Sequence, residues 1–367
     1  MVRTEYFVAT KYILGIETSC DDTSVAVLKG DPDKISQGEV PEVLAFELFS
    51  QEQMLAQWGG VVPEIASRNH LEKLAPLIKQ TIGKAGVNLS DIDLVGVTTF
   101  PGLLGPLLTG LNAAKTISLL KKVDLFAVNH LFAHLEAIHL TEKVSYPYLG
   151  LLVSGGHSLY TLVSASDEIE VLGSTIDDAA GEAYDKGGKL MGLGYPAGRI
   201  IDDLAKEGDI NRFEFPIGLK TSKDCNLSFS GVKTSLRTFL DKNPQYLVKS
   251  PEDINQDTKD ICASYQHAIV SALKLKLRYA LEAAKEKGFN NLPIVVGGGV
   301  ACNSYLRKVL QEKYKQVHFV QPKFCTDNGA MIANYAFRNY NSRIQYPDTL
   351  SIDARSRFIN KKEHRKA

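Results

Sequence analysis

The chain has 367 residues, of which 44% are hydrophobic and 23% charged. This ordinary globular composition excludes a disordered or fibrous protein, and the length predicts about two domains. The 42 basic and 42 acidic side chains balance, which argues against a generic nucleic-acid or polybasic membrane binder. Residues 1–150 carry 12 basic and 17 acidic side chains and the remainder carries 30 and 25, so a polyanion should favour the second half.

An odd number of cysteines with no CxxC pair indicates buried thiols in a reducing compartment rather than a disulfide framework. They are Cys20, Cys225, Cys262, Cys302 and Cys325. No apolar run approaches the roughly 18 residues that span a bilayer, and the first residues lack the apolar core of a signal peptide. We therefore expect a cytoplasmic protein without a membrane partner.

The first half begins with two apolar, β-branched segments at 12–16 and 24–28, which predict a hairpin with a polar tip. Residues 30–42 are polar and predict a surface loop, and apolar positions at helical spacing predict a helix over 65–84. The same patterns then predict strands at 94–98 and 125–128 and helices over about 107–120 and from about 131.

The second half opens with a similar hairpin, so that residues 14–28 and 149–163 share one pattern of strand, small or polar tip, and strand. Residues 94–105 and 294–306 are both a strand that enters a helix through a glycine-containing turn. Two repeats in the same order predict a duplicated α/β fold of the actin-like (ASKHA) type, with two lobes and a cleft between them. Backbone N–H groups at the hairpin tips would hold nucleotide phosphates there.

This repeat also predicts the domain limits. We expect an N-terminal lobe of residues 1–129 plus about 326–350, and a C-terminal lobe of residues 130–325. Residues 208–258 of the second lobe are predicted as a polar, irregular insertion, and residues 351–367 as a basic tail. Long helices are predicted over 261–287 and 326–338.

His130 and His134 are four residues apart, which places both imidazoles on one helix face at a spacing typical of metal ligands. Asp327 is a candidate third ligand, and two histidines with one carboxylate suit Fe²⁺ or Zn²⁺. The alternatives are two ordinary helix histidines and a carboxylate that caps a helix. His139 lies on another face, and Leu131 after His130 removes the glutamate that an HExxH metalloprotease needs.

Three further segments are candidates for ligand contacts. The tip at 154–158 is an anion cradle or a plain tight hairpin, and the glycines at 297–299 either admit a ligand or turn the chain. Residues 176–190 gather four acids. Asp177 and Asp178 suit solvated helix caps, whereas Glu182 and Asp185 share a helix face and suit a ligand hydroxyl.

Ten strings that occur in order over residues 15 to about 333 resemble one family closely. It is the tRNA N6-adenosine threonylcarbamoyltransferase (TsaD) family, and the chain is similar to its bacterial or organellar branch. The strings are GIETSCDDTS, GGVVPEIASRNH, PGLLGPLLTG, NHLFAH, LLVSGGHS, IDDAAGEAYDK, GYPAG, SFSGVKT, GGGVACNSYLR and CTDNGAMIA.

The resemblance implies roles for particular residues. His130, His134 and Asp327 match the ligands of one divalent metal, iron or zinc. The loop that binds the substrate adenylate matches Leu152, Val153, Ser154, Gly155 and Gly156. Further substrate contacts match Asp185, Gly198, Asp202 and Asn303. Leu152 stands where the archaeal branch has a tyrosine, so a tyrosine-ligated metal is not implied.

The implied reaction transfers a threonylcarbamoyl group from threonylcarbamoyl-AMP to N6 of adenosine 37, in tRNAs that read codons starting with A. No catalytic residue is assigned, and the proton acceptor is Asp185, a water or the donor phosphate. The implied partners are tRNA, a paralogous TsaB-type subunit and a small TsaE-type ATPase, whereas mitochondrial relatives act as homodimers. The alternatives are a small-molecule kinase on the same fold, a non-catalytic scaffold paralogue and a zinc protease.

Overall fold

Ten strands and twelve α-helices make up the secondary structure of residues 10–357, the part of the chain that the computed structural model describes. The strands are β1 (Lys11–Glu17), β2 (Asp22–Gly30), β3 (Glu42–Ser50), β4 (Leu94–Phe100), β5 (Asp124–Asn129), β6 (Tyr148–Val153), β7 (Ser158–Ala165), β8 (Glu168–Ser174), β9 (Ile294–Gly297) and β10 (Val317–Phe319). The helices are α1 (Pro32–Ser36), α2 (Glu52–Ala56), α3 (Pro63–Ala85), α4 (Leu104–Lys121), α5 (His130–Glu136), α6 (Ala180–Met191), α7 (Gly198–Ala205), α8 (Ser230–Lys242), α9 (Gln256–Glu286), α10 (Ser304–Lys313), α11 (Pro322–Cys325) and α12 (Gly329–Arg338).

The strands form two five-stranded sheets with the same connectivity. The first has the order β3-β2-β1-β4-β5 and the second the order β8-β7-β6-β9-β10. In each sheet the first three strands of the chain are antiparallel neighbours, and the last two strands pair in parallel. Both predicted hairpins and the predicted duplication of an α/β unit are therefore confirmed.

The first sheet is covered on both faces. Leu14 and Ile16 of β1 belong to the apolar core that α3 and α4 form with the sheet. Gly15 lies between them. A side chain at this position would point to the opposite face of the sheet, because side chains alternate along a strand. There α12 approaches so closely that a Cβ on Gly15 would lie 2.1 Å from the Gly329 carbonyl oxygen. This contact fixes the start of α12 against β1.

The second sheet is held mainly by the long helix α9, which packs on β6, β7 and β8. The hydroxyl of Tyr160 in β7 is completely buried and donates a hydrogen bond to the Leu273 carbonyl oxygen of α9 at 2.6 Å. The helix confirms the prediction over 261–287 and begins five residues earlier, where Asn255 caps it through the Thr258 amide.

The chain divides into two compact units, and the first division lies later in the chain than we expected. Within the described residues, one unit comprises 10–144 and 327–357, and the other is Ser145–Thr326. We expected the first boundary between residues 129 and 130. The structure moves it because α5 and the turn after it pack on α12, where the Asn334 side chain donates to the Glu136 carbonyl at 2.9 Å. Residues 358–367 of the predicted basic tail lie outside the described residues.

The predicted irregular insertion contains an ordered helix, α8. Its residues Val232, Leu236 and Leu240 are spaced four apart and are buried, so a helical apolar stripe is present within the polar sequence. The predicted loop 30–42 likewise contains the short helix α1, which Asp31 caps. No helix among residues 10–357 combines enough length and apolar character to cross a bilayer.

Candidate metal centre and nucleotide site

Helix α5 presents the two predicted histidines side by side. Asn129 caps this helix through the amides of Leu131 and Phe132, so His130 occupies the first helical position and His134 follows one turn later. Both imidazoles are buried, and their Nε2 atoms lie 3.2 Å apart. His139 is buried elsewhere, 3.8 Å from Glu136, and is not part of this pair.

Asp327 joins the histidines from the segment that precedes α12. Its Oδ1 atom lies 3.0 Å from His134 Nε2 and 3.4 Å from His130 Nε2. The alternative that Asp327 caps the helix is wrong, because Asn328 is the cap and accepts from the Met331 amide. The predicted start of this helix at residue 326 moves to Gly329 for the same reason. The aspartate is thereby available to the histidine pair.

The three donor atoms fit a divalent metal. Ligand atoms about 2.0–2.2 Å from one ion are separated from each other by roughly 3.0–3.5 Å, and the three separations here are 3.0, 3.2 and 3.4 Å. All lie within the same unit and form a group that can hold a metal ion. Two imidazoles and one carboxylate are a donor set that suits Fe²⁺ or Zn²⁺ and leaves coordination positions for a ligand.

Glu17 contacts the second ring nitrogen of His130, Nδ1. This contact was not predicted from the sequence. His130 Nδ1 lies 3.1 Å from Glu17 Oε2 and 3.1 Å from Ser19 Oγ. Glu17 is completely buried at the end of β1 and also accepts hydrogen bonds from the Ser19 amide and the Thr98 hydroxyl. A carboxylate at Nδ1 keeps the proton there, so the Nε2 lone pair of His130 is directed at the metal position.

The charges around the three donors favour a cation. Burial alone would lower the pKa of His130, but the charges of Asp327 and Glu17 raise it to about 9. Burial and the charge of Asp327 raise the pKa of Asp22 to about 8. Among the described residues, Asp22 Oδ1 is also a buried atom without a hydrogen-bond partner. A bound cation would compensate this excess of carboxylates.

Metal binding should depend on pH through His130. A histidine must lose its proton to bind a metal, and the pKa of His130 in the metal-free protein is about 9. Below that value, the apparent Zn²⁺ affinity should rise about tenfold for each unit by which the pH is raised, because His130 releases one proton as the metal binds. Competition with a chromophoric chelator, corrected for the chelator's own protonation, measures this slope. A flat profile between about pH 6 and pH 8 would contradict the assignment of His130 as a ligand.

Replacing Glu17 with Gln should weaken metal binding by roughly 10–100-fold, since the carboxylate that orients His130 is lost. The amide oxygen of Gln can still accept a hydrogen bond, so the metal-free fold should persist. Metal titration and urea unfolding of the metal-free protein separate the two effects. Glu42→Gln, at an exposed position of β3, is the matched control. Unchanged metal affinity in Glu17→Gln would show that Glu17 only fills the core.

The predicted adenylate loop lies in the other unit, at the end of β6. The side chains of Leu152 and Val153 are completely buried, so they face the core, and only their backbone is left for a ligand. Ser154 closes the turn, its amide donating to the His157 carbonyl at 2.8 Å. No heavy atom lies within 4 Å of the position of a Cβ added to Gly155 or Gly156. The turn therefore leaves open space that a side chain would fill.

A second glycine turn follows β9, which is the parallel neighbour of β6. Gly298 has φ +90°, and a Cβ there would lie 2.4 Å from the Val153 carbonyl oxygen, so only glycine fits. Gly299 faces open space like Gly155 and Gly156. Ligands of α/β folds bind at the carboxyl ends of parallel strands, which is where both turns lie.

The other predicted substrate contacts form hydrogen bonds at the starts of α7 and α10. Asp185 accepts from the Ala197 amide at 2.9 Å, directly before Gly198 at the start of α7. Asp202 accepts from the amide and hydroxyl of Ser304, each at 2.9 Å. Burial raises the pKa of Asp185, although hydrogen bonds from the Ala197 and Gly198 amides oppose the shift.

Asn303 has both polar atoms of its side chain engaged. Its Oδ1 caps α10 through the Leu306 amide, and its Nδ2 donates to Gln266 at 2.6 Å. The structure therefore brings Asp185, Gly198, Asp202 and Asn303 together through backbone and side-chain hydrogen bonds.

Two further acids of the 176–190 segment attach α8, whereas Glu182 accepts from the Ala179 amide at 3.1 Å and pairs with Lys186 at 2.9 Å in its own helix. Asp177 accepts from the hydroxyls of Ser228 and Ser230 and from the amides of Phe229 and Ser230 at the start of that helix. Asp178 forms ion pairs with Lys186, at 2.7 Å, and with Lys233. Asp177 caps α8 rather than its own helix, so the two sequence strings IDDAAGEAYDK and SFSGVKT fold against each other.

Comparison with known proteins identifies the family. Residues 42–334 match the family model "TsaD: tRNA N6-adenosine threonylcarbamoyltransferase". The chain belongs to the TsaD family. The protein of this name from Thermosipho africanus is 45% identical over 343 residues, covering 92% of this chain and 97% of the relative. The one from Treponema denticola is 43% identical over 354 residues, covering 95% and 98%. The chain is accordingly a transferase, as predicted.

Solved structures support the fold that the two sequence repeats predicted. HypF from T. kodakarensis aligns with a TM-score of 0.53 at 15% identity, over 94% of this chain and 50% of HypF. A full-length HypF in a phosphate- and nucleotide-bound form aligns with a TM-score of 0.54 at 14% identity, over 90% and 46%. At these identities the likeness concerns the fold alone, and the predicted actin-like α/β class is confirmed.

Proposed function

We propose that the chain transfers the threonylcarbamoyl group of threonylcarbamoyl-AMP to N6 of adenosine 37, in tRNAs that read codons starting with A. The observation that carries this proposal is the metal-ligand geometry of His130, His134 and Asp327 in a chain of the TsaD family. These residues would hold one Fe²⁺ or Zn²⁺ ion. When bound, the metal supplies a Lewis acid that anchors and polarises the donor.

The glycine turns supply the nucleotide contacts in this proposal. The amides of Gly155 and Gly156 would donate to the donor adenylate, since the turn at the end of β6 leaves space for it. Gly198, Asp202 and Asn303 would contact the nucleotide as well. Leu152 and Val153 would contribute only their backbone, because their side chains are buried. In the transfer, N6 attacks the carbamoyl carbon, an N–C bond forms and the C–O bond to the phosphate breaks, so that AMP leaves.

The exocyclic amine of adenine is a weak nucleophile, so its proton must be removed as the bond forms. Asp185 is our candidate acceptor, with a water or the donor phosphate as the alternatives. Burial raises the pKa of the Asp185 carboxyl, which favours proton uptake. The target base lies in a single-stranded loop, so it can leave its stack at limited cost in free energy.

The tRNA would use the basic insertion of the second unit. Lys220 and Lys223 are exposed, and the side chain of Arg237 in α8 is 71% exposed. Lys233, another basic residue of α8, is committed to its ion pair with Asp178. The predicted basic tail from Lys361 to Lys366 lies outside the described residues.

Reversing the charge at Lys220, Lys223 and Arg237 to Glu should weaken tRNA binding by about tenfold or more at moderate salt. The slope of log affinity against log salt should fall by about one for each tRNA phosphate that the variant no longer neutralises. Metal and adenylate binding should be unchanged, and Lys285→Glu near the end of α9 is the control. An unchanged salt slope in the triple variant would exclude this face as the tRNA site.

The decisive experiment reconstitutes the reaction. Purified chain, tRNA, threonine, bicarbonate, ATP and the adenylate-forming enzyme are combined with and without a TsaB-type subunit and a TsaE-type ATPase. Mass spectrometry of the nucleosides should detect threonylcarbamoyladenosine. If activity appears without these partners, sedimentation tests the homodimer. Phosphorylation of a sugar or acid acceptor, with no modified adenosine, would instead support a kinase.

A cytoplasmic location stays a prediction.

A further inference from the structure

Two cysteines that are distant in sequence meet in the second unit. Cys302 ends the 3-10 turn Gly299–Cys302 that leads into α10, and it is exposed. Cys325 ends α11 and is completely buried. The turn and α11 pack against each other, which places the two thiols close enough to interact. An accessible thiol therefore lies beside a sheltered one, contrary to the prediction that the thiols are buried.

Arg307 is fixed beside this pair. Its Nε donates to the Ala301 carbonyl at 2.7 Å, and its Nη2 donates to the Val320 carbonyl at 3.1 Å. The Cys325 thiol donates to the same Val320 carbonyl at 3.2 Å. The backbone thus anchors the guanidinium group where it also interacts with Cys302. A fixed cation next to an accessible sulfur is typical of reactive thiols.

The environment favours the thiolate form of Cys302. The interaction with Cys325 lowers the pKa of the Cys302 thiol to about 7, with the help of Arg307 and against the opposing effect of burial. A cysteine is oxidised readily when part of its population is thiolate at neutral pH and its sulfur is exposed to solvent.

We propose that Cys302 and Cys325 form a redox modification site, in which a hydroperoxide oxidises Cys302 and Cys325 closes a reversible disulfide. The proposal rests on the packing of the two segments that carry the cysteines and on the unequal exposure of the two thiols, and it is independent of the transferase reaction. It is compatible with a reducing compartment, where disulfides are transient and redox-sensing.

The chemistry balances in two steps. The Cys302 sulfur attacks one peroxide oxygen, so that an S–O bond forms, the O–O bond breaks and an alcohol (water from hydrogen peroxide) leaves. The Cys325 sulfur then attacks the Cys302 sulfenic acid, so that the S–S bond forms, the S–O bond breaks and water leaves with the thiol proton. Two thiols lose two electrons and two protons, and the hydroperoxide accepts them.

The test treats the reduced, desalted protein with hydrogen peroxide, blocks the remaining thiols with N-ethylmaleimide and digests without reductant. Mass spectrometry should show the Cys302–Cys325 cross-linked peptide, which disappears after dithiothreitol. Cys262→Ser, at a buried position of α9, is the control and should leave the cross-link unchanged.

Two variants distinguish the order of events. In Cys325→Ser, Cys302 should stop at the sulfenic acid and take a dimedone label, whereas in Cys302→Ser the buried Cys325 should resist oxidation. Circular dichroism verifies that both variants fold. Dimedone-labelled Cys302 without a cross-link in the wild type, or a cross-link between two chains, would overturn the proposal.

Discussion

Replacing Asp327 with Asn should lower the affinity for Fe²⁺ or Zn²⁺ by at least about 100-fold and abolish tRNA modification. Loss of an outer partner of a metal ligand already costs roughly 10–100-fold, and Asp327 supplies a donor atom itself. Asn is nearly isosteric, and the helix cap at Asn328 is untouched, so the fold should persist. Metal titration and nucleoside analysis measure the two effects.

The matched control is Asp167→Asn, at an exposed position of the second unit, which should bind metal normally. Asp327→Asn is a cleaner test than His130→Ala. Removal of the His130 ring would leave the completely buried Glu17 without its imidazole partner, so a loss of stability would accompany the loss of metal. Normal tRNA modification by a folded Asp327→Asn variant would exclude the metal role of these three residues.

Replacing Gly156 with Val should abolish binding of the adenylate and leave the metal affinity unchanged. The φ angle of Gly156 is not in the left-handed region, and no heavy atom lies within 4 Å of the position that a Cβ would take, so the larger side chain fits the protein itself. It would occupy the space that the proposal gives to the nucleotide. Calorimetric titration with a non-hydrolysable adenylate analogue measures this loss.

Gly83→Val is the control for this variant, because Gly83 also has open space around it and lies in α3 of the other unit. It should bind the analogue as the wild type does, and both variants should unfold at similar temperatures. Wild-type affinity in Gly156→Val would show that SGGHS is a plain hairpin turn, which is the alternative that the sequence left open.

The candidate metal ligands could be picked out from the sequence because much of their geometry is local. An i, i+4 pair of histidines meets on any helix, so His130 and His134 needed no tertiary information. Glu17 was missed because its contact with His130 spans 113 positions. Its signal was an acid at the end of an otherwise apolar strand, and such a residue must find a partner once buried.

The fold was predicted where strands are buried and repeated, and missed where patterns are weak. The two hairpins carry continuous apolar runs, whereas the edge strand β10 has three residues and β3 has a single buried position, Ala45. The carboxylates of 176–190 show the same limit. Their sequence cannot reveal that Asp177 caps α8, since the capped amides lie about fifty residues further along the chain.

Asn303 ties three helices together at the carboxyl end of β9. Its oxygen holds the first turn of α10, and its amide group contacts Gln266 of α9 and Tyr184 of α6. A nucleotide that hydrogen-bonds this amide must compete with Tyr184 or with Gln266, which belongs to the 31-residue helix α9. Binding of a nucleotide at the glycine turns would then change the hydrogen bonds of α9. A ligand held by backbone amides would thereby alter the rigidity of the three helices that Asn303 connects.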